Sequence, residues 1–118
     1  MATHKDLDVW KESIDLVVDV YRITKSFPKE EMYGLSAQIR KSAISIPSNI
    51  AEGAARKSDK ENIQFLYIAL GSLSELETQL IIAQRLEYGD TGEVLKAIES
   101  LRMKVLNLMK YFKRLMSS

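Results

Sequence analysis

The sequence predicts an all-α protein, an antiparallel up-down four-helix bundle that occupies residues 1–118 as a single domain. Apolar residues recur at steps of three and four in four consecutive segments, which is the period of a helix that buries one face. Only two prolines and five glycines occur, so a turn-rich β architecture is not expected. A chain of this length supports one hydrophobic core. The four segments are therefore expected to pack into one bundle.

The first helix is predicted from Asp8, and it has apolar residues on two faces. One stripe is interpreted as the core stripe and consists of Leu7, Trp10, Ile14, Val17 and Tyr21. A second stripe, about two residues out of phase, consists of Val9, Leu16, Val20, Ile23 and Phe27. A helix of a small bundle needs only one apolar face, so the second stripe is predicted to be the interface of a homo-oligomer. The alternative is that loops or the amino-terminal tail cover it.

The second helix is predicted to begin at Lys29 or Ser36 and to contain Pro47 in its middle. Proline removes a backbone hydrogen bond and clashes with the preceding turn, so we expect a kink at Pro47. In that case Asn49 and Glu52 would satisfy backbone groups that the proline frees. The alternative is two shorter helices, the second capped by Asn49 with Glu52 three residues later.

The turn around Gly53 to Asp59 ends the second helix, and Ser58 or Asp59 is expected to cap the third. The third helix continues to about Tyr88 and contains Gly71, which we expect to let another backbone come close. Gly89 is expected to end it. The fourth helix has the clearest seam of the chain, with spacing 4-3-4-3-4-3: Val94, Ile98, Leu101, Val105, Leu108, Phe112 and Leu115.

No catalytic constellation is present, because the chain has no cysteine and a single histidine, His4. A hydrolase that uses Glu52 and Glu75 is the one conceivable active site. The glutamate and histidine pairs of di-iron bundles are missing, and so is a glycine-rich phosphate loop. We therefore expect no enzyme activity, no cofactor, no metal and no small-molecule substrate. No signal core or membrane-length apolar stretch appears, which predicts a soluble, cytoplasmic protein that does not contact a membrane.

The charge is nearly balanced, with 17 basic and 16 acidic residues. This argues against a uniformly basic nucleic-acid clamp. The cations that could still contact phosphates are Arg40, Lys41, Arg56, Lys57, Lys110, Lys113 and Arg114. The competing interpretation is that these side chains form ordinary solvated helix faces.

The stretch from Tyr33 to Gly53, YGLSAQIRKSAISIPSNIAEG, closely resembles the four-helix-bundle proteins associated with 23S rRNA intervening sequences. The likeness extends to residues 6–10, 56–58 and 69–77, whereas the fourth helix matches by pattern alone. This resemblance implies an up-down bundle, typically assembled as a ring of five subunits, with no known enzymatic activity. Related proteins include the accessory proteins of diversity-generating retroelements, which resemble basic rings that bind nucleic acid and a reverse transcriptase.

The leading hypothesis is thus a homo-oligomer, expected to be a pentamer, that acts as a scaffold associated with RNA or DNA. The alternative is an adaptor that presents nucleic acid to a reverse transcriptase or another partner enzyme. The near-neutral charge favours the scaffold, because the accessory proteins are expected to be more basic.

Overall fold

A computed structural model describes residues 3–117, with the exception of the Asp6 side chain. It contains four α-helices: α1 Asp8–Thr24, α2 Leu35–Ala54, α3 Asp59–Arg85 and α4 Gly92–Ser117. Two short 3-10 turns, His4–Asp6 and Lys29–Glu31, precede α1 and α2. Each helix packs against its neighbours in the chain, and α1 also packs against α4. The prediction of an all-α, up-down four-helix bundle is confirmed.

Helix α3 begins at a residue whose side chain bonds one of the backbone amides that have no partner within the first turn. At the start of α3 the Glu61 amide donates to the Ser58 hydroxyl at 3.2 Å, and that hydroxyl donates to the Glu61 carboxylate at 3.1 Å. Ser58 is therefore the cap that the sequence predicts.

The end of α3 differs from the prediction, because Glu87 and not Gly89 takes the left-handed conformation, with φ of 62°. The amide of Tyr88 donates to the Ala83 carbonyl at 3.0 Å, and that of Glu87 donates to the Gln84 carbonyl at 3.0 Å. This pair of bonds is a Schellman motif with a glutamate in the position that glycine usually occupies.

Helix α2 is continuous through Pro47, so the alternative of two shorter helices is wrong. The Asn49 side chain donates to the Ser45 carbonyl at 2.8 Å. The carbonyl that lacks a partner because of Pro47 is that of Ala43, four residues earlier. The carbonyl that Asn49 contacts, that of Ser45, is about half a turn further along the helix. Glu52 is exposed and pairs with Arg56 at 3.0 Å, so its predicted contact with the freed backbone is wrong. A bend at Pro47 stays a prediction.

The two apolar stripes of α1 are assigned the wrong way round by the sequence analysis. The stripe predicted as the oligomer interface lies in the core of the subunit, where Val20 is 0% exposed and Leu16 is 2% exposed. Val9 and Phe27 are also buried, and Ile23 packs against the core. The surface of α1 instead carries Ile14 and Val18. The prediction that α1 is apolar on two faces is confirmed, but the residues Val9, Leu16, Val20, Ile23 and Phe27 are not an interface.

Two glycines have roles different from those predicted. A Cβ at Gly53 would lie 2.6 Å from Asn62 Oδ1 and 2.9 Å from Phe65 Cβ, so this glycine permits the close approach of α2 to α3. A Cβ at Gly71 would meet nothing within 4 Å. Within one subunit, no other backbone uses the space at Gly71.

Helix α3 is the most apolar element. Within the described part of the chain it is the one helix long and apolar enough to cross a membrane, with a mean hydropathy of 1.3 over its most apolar window. Its buried residues, which include Leu66, Leu73 and Leu80, form the centre of the bundle core. A cytoplasmic location stays a prediction.

Candidate interaction surfaces

The bundle has one open end, which we define as residues 55–60 together with residues 110–117 of α4. These segments lie together because α3 and α4 are antiparallel, and Lys113 Nζ is 3.0 Å from the Tyr67 hydroxyl. Helix α1 does not extend this far. Leu7, Asp8 and Val9 at its start share a cavity of about 550 Å³ with Lys104, Asn107 and Leu108 of α4. Helix α4 therefore continues to Ser117, past the level at which α1 begins.

The α4 seam loses its cover towards this end. Val105 and Met109 are buried, Leu108 and Phe112 are half-buried, and Leu115 is exposed. The sequence predicts a seam of uniform spacing, but it does not reveal that α1 is too short to cover the last turns.

Two of the predicted nucleic-acid residues have structural partners. Arg40 Nε donates to the Thr24 hydroxyl at 2.9 Å, and its guanidinium lies 4.5 Å from the centre of the Tyr21 ring. Arg56 pairs with Glu52 and lies 4.7 Å from the centre of the Phe65 ring. Arg40 thus connects α2 to α1 and Arg56 connects α2 to α3. Both are less available to an external phosphate than their charge suggests.

Four of the remaining candidates lie at the open end: Lys57, Lys110, Lys113 and Arg114. Their side chains are exposed and form no ion pair with any described carboxylate. Lys60, in the first turn of α3, is exposed there as well. Sequence reasoning missed Lys60 because it stands between Asp59 and Glu61, although a helix directs these neighbours to different sides.

The other cations of α4 are neutralised within the subunit. Arg102 pairs with Glu77 of α3 at 3.1 Å and also with Glu99, and Lys104 pairs with Glu12 of α1. These pairs join α4 to its neighbours on both sides. Because no acidic residue follows Glu99 in the sequence, positive charge without an internal partner concentrates at the open end.

A largely apolar groove, which we call the α1–α2 groove, lies between α1 and α2. Its volume is about 370 Å³, and Pro47 is the buried residue among those that line it. The remaining lining residues are Trp10, Ile14, Val17, Val18, Ile44, Ser48 and Ala51. This groove, and not the Val20 stripe, is the apolar surface that α1 leaves uncovered.

A second, polar groove lies between α2 and α3, and it contains Lys41. The hydroxyls of Ser45 and Ser72 are 2.8 Å apart, and the Ser42 hydroxyl donates to the Glu75 carboxylate at 3.3 Å. Asn49 Nδ2 also donates to the Ser45 hydroxyl at 2.9 Å. These contacts connect two helices across their interface, and they place Lys41 away from the cations of the open end.

The structure does not bring Glu52 and Glu75 together. Glu75 faces Ser42, which is ten residues before Glu52 in α2 and thus about 15 Å away along the helix axis. Among the described residues no group of three or more histidine, cysteine or acidic side chains could hold a metal ion. The Tyr88 hydroxyl donates to the Glu31 carboxylate at 2.8 Å. That bond favours the protonated phenol and raises the pKa of Tyr88.

Comparison with known proteins agrees with this arrangement. No protein of curated function matches the chain. A crystal structure from Bacteroides thetaiotaomicron, of a protein with unknown function from the S23 ribosomal protein family, has the same fold with a TM-score of 0.77 and 24% sequence identity. The alignment covers 86% of this chain and 98% of that one. The family model described as 23S rRNA-intervening sequence protein matches residues 5–112. The chain belongs to the 23S rRNA-intervening sequence protein family.

Proposed function

We propose that this protein is a non-enzymatic homo-oligomer that serves as an RNA-associated scaffold, with the five subunits that the family resemblance implies. The observation that supports self-association is the apolar surface left uncovered by the subunit. In the α1–α2 groove, Ile14, Val18 and Ile44 are 37%, 43% and 43% exposed. They adjoin one another on two packed helices and so form a continuous patch.

The energy available from this groove can be estimated. Complete burial of a valine or isoleucine side chain stabilises by about 1.5–3 kcal/mol, so covering the exposed part of these three residues gives roughly 2–4 kcal/mol. Association costs more than this. Further surface must therefore contribute to a stable oligomer.

The supporting observation for an RNA role is the group of cations at the open end. Lys57, Lys110, Lys113 and Arg114 are exposed and lack carboxylate partners among the described residues. Such side chains bind phosphates and release the counterions around them. A symmetric oligomer presents one copy of this patch on each subunit, which converts weak contacts into avid binding.

Self-association is tested by light scattering on a sizing column at micromolar concentration. The wild-type protein is expected to elute with the mass of several subunits, and Val18→Glu is expected to lower that mass while the helical circular dichroism is retained. Lys96→Glu, at an exposed site on α4 outside the α1–α2 groove, is the control and should leave the mass unchanged. A monomeric wild-type protein would overturn the proposal.

RNA association is tested by fluorescence anisotropy with a labelled RNA at several salt concentrations. The double variant Lys110→Gln/Lys113→Gln is expected to bind more weakly, and the slope of log K against log salt should fall by about 1.5. Lys25→Gln/Lys96→Gln removes two exposed charges that lie outside the open end and serves as the control. Equal binding by both variants would contradict the assignment of the open end.

A further inference from the structure

The outer face of α3, with the residue that follows the helix, carries a set of exposed apolar side chains. Tyr67, Ile68, Ile81, Ile82 and Leu86 are each between 42% and 52% exposed. Only 39% of the most apolar window of α3 is buried. The subunit therefore leaves much of its most apolar helix uncovered.

Gly71 lies within this face and has no role inside the subunit. Glycine destabilises a helix interior relative to alanine, yet here a Cβ would meet nothing within 4 Å. The space is available to a group from outside the subunit.

The outer face also has the spacing of a second helical seam. Counting from Gln64, a line of positions at steps of 4-3-4-3-4 runs along the centre of this face, and its apolar side chains are Ile68 and Ile82. The seam consists of Gln64, Ile68, Gly71, Glu75, Thr78 and Ile82. Glu61 and Arg85 continue the same spacing at its two ends, and both are exposed.

We propose that this face packs against the same face of a second copy of the chain, as an antiparallel pair of α3 helices related by a two-fold axis. In the antiparallel register centred near residue 73, Gly71 lies opposite position 75 of the second copy, and the missing side chain lets the two helices approach closely. The same register places Glu61 opposite Arg85 of the second copy, once on each side of the axis. Tyr67 and Ile81 lie on the same flank of the seam, and the register brings them to within about 3 Å of the same level along the helix axis.

The charge distribution selects a second copy in this orientation. The open end, at one end of the α3–α4 face, carries Lys57, Lys60, Lys110 and Lys113. Residues 55–61 and 110–117 together carry six basic and two acidic residues, whereas residues 85–93 at the opposite end carry one basic and three acidic residues. An antiparallel pair brings the basic end of each copy towards the acidic end of the other, whereas a parallel pair would place like charges together.

This inference rests on the proposed self-association and adds the surface through which it occurs. A two-fold contact uses the same patch on both subunits and joins them in pairs. If the α1–α2 groove closes a ring, the α3 contact then joins two rings face to face.

The test is chemical cross-linking of Ser74→Cys with a short bismaleimide. The wild-type chain has no cysteine, so the introduced thiol is the only target. Ser74 is exposed and lies beside the two-fold axis in the proposed register. We expect most of the protein to become a covalent dimer. The control, Ser100→Cys, is exposed on α4 in a groove against α1 and should give little dimer.

Two outcomes separate this inference from the proposed function. If the wild-type protein is monomeric, both fail. The second outcome is an oligomeric wild-type protein for which Ser74→Cys gives no covalent dimer, Ile68→Glu leaves the mass unchanged and Val18→Glu lowers it. That outcome would overturn the α3 contact alone. A mixture of Tyr67→Cys and Ile81→Cys proteins that cross-links more than either alone would establish the antiparallel orientation.

Discussion

Val18 and Val20 provide a direct test of which face of α1 lies in the core. They are the same residue type, two positions apart on one helix, but Val18 is 43% exposed and Val20 is 0% exposed. Replacement of either by alanine removes two methyl groups. At Val20 the lost transfer free energy is about 1.6 kcal/mol, and a cavity adds to it. The better helix propensity of alanine returns roughly 0.5 kcal/mol, so the net loss is about 2 kcal/mol.

Val20→Ala should lower the melting temperature by about 8 °C, since a chain of 118 residues has an unfolding entropy of about 0.25 kcal/mol/K. Val18→Ala should lower it by less than about 2 °C, because much of its side chain is already in water. Thermal denaturation followed by circular dichroism measures both, at several protein concentrations, because any contribution of Val18 to self-association depends on concentration and can be separated in this way. Equal shifts for the two variants, or a larger shift for Val18→Ala, would refute the assignment of the core face.

Three further predictions concern stability. Gly53→Ala should destabilise by about 1–3 kcal/mol in chemical denaturation because its Cβ would clash with Asn62 and Phe65. Gly71→Ala, whose Cβ meets nothing within the subunit, should stabilise by about 0.5–1 kcal/mol when it is introduced into the Ile68→Glu protein, in which the α3 contact is disrupted. Similar effects at both sites would contradict this contrast. Glu87→Gly should raise the melting temperature by relieving a left-handed residue worth about 1 kcal/mol, and Glu87→Ala, which keeps that strain, should not. The folded-state pKa of Tyr88 is raised above that of the unfolded chain, so its hydrogen bond to Glu31 should stabilise the fold fully below pH about 10. This stabilisation should be lost as the pH rises through the folded-state pKa. Tyr88→Phe should abolish that pH dependence in melting curves measured between about pH 8 and 11.

The helix positions could be predicted from the sequence because local interactions set most of them. The Ser58 cap and the 4-3 seam of α4 involve residues within one or two turns, and pattern analysis detects such relations. The end of α3 could not be predicted in the same way. A glutamate accepts the left-handed position only because the Schellman bonds and the packing of Tyr88 on Phe27, with ring centres 5.8 Å apart, hold the turn in place.

The orientation of α1 could not be predicted because both of its stripes are apolar. The true core face also contains Ser13 and Thr24, which weaken its apolar signal. Each of them is buried by donating its hydroxyl hydrogen to a carbonyl of its own helix, at 2.7 Å from Ser13 to Trp10 and 2.8 Å from Thr24 to Val20. One clue in the sequence was that Trp10 and Tyr21, whose side chains carry polar groups, belong to the other stripe, which favours a position near the surface. In the structure both are half-buried.

Which of the candidate cations have internal partners could not be predicted from the sequence, for a different reason. Arg40 and Arg56 resemble the other basic residues in sequence, and only the packing of α2 against Tyr21 and Phe65 shows that they have internal partners. Lys110 and Arg114 are not covered by α1, because α1 begins at the level of Asn107 and Leu108 and runs away from them, whereas Lys113 donates to the Tyr67 hydroxyl at 3.0 Å. These relations depend on the relative lengths and offsets of three helices.

The hydrogen bond between Ser45 and Ser72 has a consequence for how the bundle selects a single alignment. A seam with 3-4 spacing looks similar to itself after a shift of one heptad, so apolar contacts alone discriminate weakly between neighbouring alignments of α2 and α3. The polar pair adds a contact that belongs to one alignment, because a shift of one heptad would place Gln38 or Glu52 opposite Ser72 instead of Ser45, and the 2.8 Å hydrogen bond between the two hydroxyls would be lost. The hydroxyls in the interface thus favour one alignment among those that the leucines and isoleucines would tolerate.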